Sequence, residues 1–149
     1  MVNALASAAM DQRISIVTLG VADLSRARSF YERLGWRGQE VEETVLFQAG
    51  AMVLVLWGRA KLAADSGVAD DGSGFDRVTL AQNVRSAEEV DAVVAAAAEA
   101  GATVSRKPSA TFYGGYAGVF LDPDGHAWEI AFNPAFTITD DGAVVLPEF

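Results

Sequence analysis

The sequence predicts an α+β fold built from two tandem βαβββ modules. The first sign is an internal echo: Ile16-Val17-Thr18-Leu19 opens one strand-then-helix unit, and Arg77-Val78-Thr79-Leu80 opens another. Each unit runs from an alternating strand into a helix that ends at a glycine, Gly35 or Gly101, as a duplication would leave it. The second sign is that three strand-like segments follow each helix. The third is an apolar content of 51% spread along all 149 residues, enough for one domain or for two small halves sharing a core.

Residues 1–13 form an N-terminal extension. It is Ala-rich and has neither a basic segment nor a sustained apolar run, so it reads as a frayed terminus rather than a signal peptide. The first module spans 14–58. Its helix takes Asp23 as N-cap and buries Leu24, Ala27, Phe30, Tyr31 and Leu34 along one face. The strands "GWRGQEVEE", "TVLFQAG" and "AMVLVLWG" follow. Residues 59–73 read as a linker, a short helical turn leading into an acidic loop. The second module spans 74–134. Its helix starts at Ser86, with Glu89 completing a capping box, and it presents Val90, Val93, Val94 and Ala97 to the core. Gly101 takes the left-handed position after the last turn, and "ATVSRKP", "YAGVFLD" and "HAWEIAF" supply the strands. The tail, 135–149, carries an Asp-Gly turn between two apolar runs and predicts an added hairpin or an edge cover.

Composition removes several function classes. A net charge of −9 with no Lys/Arg cluster disfavours nucleic acid and anionic membrane as partners, because phosphate needs a basic face. The absence of cysteine excludes disulfides, thiol catalysis and Cys-ligated zinc. No stretch approaches a membrane span, and a cytoplasmic location is expected. There is no nucleophile elbow, Walker loop or dinucleotide fingerprint. Asp122-Pro123-Asp124-Gly125 reads as a hairpin turn, with the lone His126 a turn or surface residue rather than a ligand.

With "VTLGVADLSRARSFYERLGW" in the first half and "YAGVFLDPDGHAWEIAFNP" in the second, residues 14 to 134 resemble the vicinal oxygen chelate superfamily. That group includes glyoxalase I, the bleomycin-resistance proteins and the extradiol dioxygenases, and the chain looks like an uncharacterised bacterial glyoxalase-like branch. The resemblance implies that each half curls into a half-barrel sheet, that the two sheets surround a concave ligand cavity, and that the chain forms a homodimer. In metal-dependent members four side chains hold one divalent ion, two from each half. The first stands seven residues before the helix-capping aspartate, which is Ile16 here; the echo makes Arg77 its counterpart. The final strands contribute Val55 and Glu129. Ile and Val cannot coordinate a cation and Arg repels one, so three of the four positions do not ligate.

This ligand set implies a metal-free cavity, with no cofactor, in which Arg77 and Glu129 form a charge-assisted pair. Such a pair would hold Glu129 as a carboxylate and make it a poor general base, although Glu129 is the one catalytic candidate. Strand alternation turns Ile16, Thr18, Val53, Val55, Trp57, Arg77, Thr79 and Glu129 into the cavity, with Tyr113 and Tyr116 on a glycine-rich rim. The expected function is binding of a small, largely apolar organic molecule, such as drug sequestration of the bleomycin-resistance kind. The alternative is a metal-dependent glyoxalase-type lyase or isomerase, or a dioxygenase, using Ni, Zn, Mn or Fe as Lewis acid.

Overall fold

The computed structural model describes residues 10–148, so the extension expected at 1–13 falls largely outside the described residues. The first module runs β1 (Ile16–Val21), α1 (Leu24–Arg33), β2 (Gly38–Val41), β3 (Thr44–Ala49) and β4 (Met52–Gly58). A connecting helix, α2 (Arg59–Ser66), leads to the second module: β5 (Thr79–Asn83), α3 (Ala87–Ala100), β6 (Thr103–Ala110), β7 (Tyr116–Leu121) and β8 (Ala127–Phe132). The tail forms the predicted hairpin, β9 (Thr137–Ile138) and β10 (Val144–Val145). The sheet orders are β1-β4-β3-β2 and β5-β8-β7-β6, open and half-barrel-like, and in each the first strand pairs parallel with the last.

Local chemistry places the helices. The Asp23 carboxylate accepts from the Arg26 amide at 3.0 Å, and the Ser86 hydroxyl accepts from the Glu89 amide at 3.2 Å. Caps of this kind contribute about 1 kcal/mol each. The Glu89 carboxylate reaches back to the Arg85 amide, one residue before the usual capping-box partner. Gly101 closes α3 at φ 116, where a side chain would be strained.

One core joins the two modules. From the first it takes Val21, Phe30, Tyr31, Phe47 and Leu56, and from the second Val90, Ala97, Phe120, Trp128 and Ile130. Tyr31 stands at the junction, its ring centroid 5.7 Å from that of Phe47 and 6.2 Å from that of Trp128. We call the sheet faces turned toward α1 and α3 the core faces, and the opposite ones the outer faces.

The Asp122–His126 turn clamps the modules together. Asp122, 4% exposed, accepts from the Tyr31 hydroxyl of α1 at 2.7 Å and from the amides of Asp124 and His126 at 2.9 Å each. Trp128 Nε1 donates to the Tyr31 oxygen at 3.1 Å. Asp124 Oδ1 accepts from the Ala22 amide and from Arg26. His126 contacts Asp76 through Nδ1 at 3.0 Å and the Gly20 carbonyl through Nε2 at 2.8 Å. The turn that the sequence marks as a simple hairpin corner is thus the main polar bond between the modules.

Candidate functional site

On the outer face of the first sheet, β1 and β4 bring five predicted residues into one patch. Ile16 lies beside Val53 and Thr18 beside Val55, while Trp57 lies beside Gly20. Gly20 suits this close approach: a Cβ there would sit 3.2 Å from both Cα and Cβ of Arg59, tighter than ordinary contact, because α2 folds back over that end of the face.

On the second sheet the register is two residues away from the one the echo suggests. Counted back from the helix caps, Ile16 is seven residues before Asp23, and the residue seven before Ser86 is Thr79. Strand pairing agrees: Thr18 lies opposite Val55 and Ala81 opposite Glu129, so Val55 and Glu129 are equivalent. By this register the four positions that the resemblance implies for metal ligands become Ile16, Val55, Thr79 and Glu129. Arg77 precedes the strand in a left-handed conformation, φ 63, and is exposed.

The expected Arg77–Glu129 pair does not form. Glu129 pairs with Arg106, whose Nη2 donates to Oε2 at 3.2 Å while Nη1 reaches the Ala117 carbonyl at 3.4 Å. Sequence alternation hides Arg106, because it puts residue 106 on the same face as Val104. A register shift between them changes this: Val104 lies opposite Phe120 on the core face, and Arg106 opposite Val119 on the outer face. A second shift follows at Pro108, whose ring packs on Gly118; a Cβ on Gly118 would lie 2.8 Å from Pro108 Cγ. The Pro two residues after Arg106 was the available signal, since proline within a strand marks a bulge or an edge.

Tyr116 is not on the outer face. Its hydroxyl donates to Asp91 of α3 at 2.8 Å, and this hydrogen bond raises the phenol pKa. Tyr113 lies on the β6–β7 connection, 36% exposed and edge-on to Phe112 with centroids 5.3 Å apart. Gly115 leaves no space for a side chain beside it, because a Cβ there would fall 2.2 Å from the Phe132 carbonyl oxygen and 2.5 Å from the Tyr113 ring.

A cavity of about 310 Å³ lies where the two modules' first strands approach. Thr18 and Gly20 line it from β1, Ala127 from β8 and Leu62 from α2, with Asp76 and His126 as polar groups. Its volume lies within the usual range for small-ligand sites. Of the ten predicted residues only Thr18 reaches its wall.

The donor set does not fit a divalent ion. Ile16 and Val55 offer no lone pair, Thr79 offers a neutral hydroxyl, and Glu129 is the one carboxylate and already meets a guanidinium. Among the described residues no three His, Asp or Glu side chains converge elsewhere. The Arg106–Glu129 pair is half open to solvent, with side chains 46% and 35% exposed. Arg106→Ala is accordingly expected to cost no more than about 1 kcal/mol of stability, measured by urea unfolding.

Known proteins place this geometry. The description Glyoxalase/Bleomycin resistance protein/Dioxygenase superfamily matches residues 13–130. A glyoxalase-related enzyme from Fulvimarina pelagi is 37% identical, covering 92% of this chain and 99% of its own, with a TM-score of 0.83. A hypothetical protein from S. aureus is 27% identical over 87% of this chain and 99% of its own, with a TM-score of 0.75. Lactoylglutathione lyase from Agrobacterium tumefaciens shares the fold at 20% identity and a TM-score of 0.62, covering 81% of this chain and 93% of its own. No curated protein matches. No helix among the described residues is long and apolar enough to cross a membrane. The chain belongs to the glyoxalase/bleomycin resistance protein/dioxygenase superfamily.

Proposed function

We propose that this protein binds a small, largely apolar organic molecule without a metal ion, in the manner of a sequestering protein, and does so as a homodimer in the cytoplasm. The observation that carries the reading is the ligand set Ile16, Val55, Thr79 and Glu129, whose one carboxylate is engaged by Arg106. A molecule held on these outer faces meets Val53, Val55 and Trp57 as apolar and aromatic walls, and the hydroxyls of Thr18 and Thr79 with the Arg106–Glu129 pair as polar handles. Dimerisation is favoured by apolar side chains left open beside the cavity, Ile16 and Val78, each 57% exposed. A second copy would bury them and complete the walls.

Elemental mass spectrometry tests this reading. Untagged protein is incubated with Ni²⁺, Zn²⁺, Mn²⁺ and Fe²⁺ and then desalted, with the expectation that retained metal stays far below one ion per chain. Retention near one ion per chain would overturn it and favour a metal-dependent lyase, isomerase or dioxygenase. That second reading draws its support from the 37% identity to a protein described as a glyoxalase-related enzyme.

A further inference from the structure

At one core-facing strand position the duplicated halves change from an apolar side chain to a polar one. Leu19 stands four residues before the Asp23 cap, and Gln82 stands four before the Ser86 cap. Their strand partners, Leu56 and Ile130, are both buried, at 0% and 2% exposure. Leu19 is buried as well, at 7%, whereas Gln82 is exposed. A polar amide occupies a site where the first half buries leucine, and its exposed carboxamide is open to a ligand as well as to water.

Gln82 faces two adjoining hollows between the modules. The inner one, about 140 Å³, lies against Tyr31, Trp36, Val93, Phe120 and Trp128. The outer one, about 640 Å³, has Phe47 in its wall, and Arg37 and Asp141 are its charged lining residues. Trp36, Gln82 and Trp128 line both, so these three residues form the neck between the hollows. An apolar cavity of about 150 Å³ is large enough to take a benzene ring. The lining of the outer hollow carries one charge of each sign, which selects neither an anion nor a cation.

We propose a second ligand site in this inter-module groove, walled by core-face aromatic side chains and bordering the outer faces at Val53 and Ala81, that takes a neutral aromatic molecule bearing one hydrogen-bonding substituent. A single ring fills the inner hollow against the aromatic walls. Its hydroxyl or amide meets Gln82 at the neck, where the carboxamide can donate and accept. Any larger portion extends into the outer hollow. Burial of a ring among aromatic side chains supplies the driving force, and the Gln82 amide selects for the polar substituent.

The chain has three tryptophans, and they divide between the sites: Trp36 and Trp128 line the groove, and Trp57 lies on the outer face. ¹⁵N-labelled protein titrated with 4-fluorophenol, its indole signals assigned by Trp→Phe variants, is expected to shift the Trp36 and Trp128 signals and leave Trp57 in place. Gln82→Leu restores the residue of the first half, so it should fold normally and bind 4-fluorophenol about tenfold more weakly or not at all. Wild-type affinity in Gln82→Leu, a shift confined to Trp57, or no indole shift at millimolar probe would each overturn the proposal. A metal-binding result on the outer face would leave it standing.

Discussion

Asp122→Ala is expected to cost about 3 kcal/mol of folding stability and to loosen one module from the other, read as a lower urea midpoint. The carboxylate is buried and accepts from the Tyr31 hydroxyl and from two backbone amides. Alanine leaves all three donors without a partner inside the seam, and an unsatisfied buried donor loses its hydration with no return. Asp122→Asn is expected to lose less. Its carbonyl can still serve the backbone amides, but its amino group faces a hydroxyl that already accepts from Trp128. Burial, and secondarily the Asp122 charge, push the Tyr31 pKa far above the ordinary tyrosine value. The sign of the linkage follows from that direction. Above about pH 10 the unfolded chain gives up the phenol proton and the folded chain keeps it, so this contribution falls as pH rises. Tyr31→Phe should flatten the alkaline decline in stability, and an unchanged slope between Tyr31→Phe and wild type would show that the phenol is not buried against Asp122.

The parts legible in the sequence are those set by neighbours a few residues apart. Asp23, Ser86 and Gly101 announce their helix ends because a cap depends on side chains within one turn. The outer and core faces of β1 and β4 follow from period-2 alternation, and the tail hairpin follows from its Asp-Gly turn. What the sequence hid is of two kinds. Arg106 reaches Glu129 through a bulge that flips a strand face, and alternation is blind to a one-residue slip. The three-residue echo matches Arg77 to Ile16, whereas the caps, which anchor each helix against its strand, give Thr79. The contacts of Tyr116 with Asp91 and of Tyr31 with Asp122 span 25 and 91 residues, and no local pattern encodes them. The four superfamily ligand positions could be tested from sequence, because non-ligating side chains at Ile16 and Val55 need only the first module's register.

Phe30→Ala is expected to destabilise the protein by about 4 kcal/mol, a large share of a typical domain's total stability. Phe30 is 1% exposed on α1, its ring 4.9 Å from Tyr31 and 6.1 Å from Phe120 of the second sheet. Phe120 in turn stacks on Trp128, with 6.4 Å between centroids. The cavity left by alanine would therefore open on both modules at once, and neither could close it by moving alone. If the modules share one core, Phe30→Ala shifts the urea midpoint with an unchanged slope, and amide exchange quickens in α3 as much as in α1. Phe30→Leu, which keeps most of the volume, should lose about 1 kcal/mol. Exchange that accelerates in α1 while α3 stays fully protected would mean that the halves open independently. The inter-module groove would then be a gap between two separately folding units, and the Tyr31–Asp122 clamp would be their principal tie.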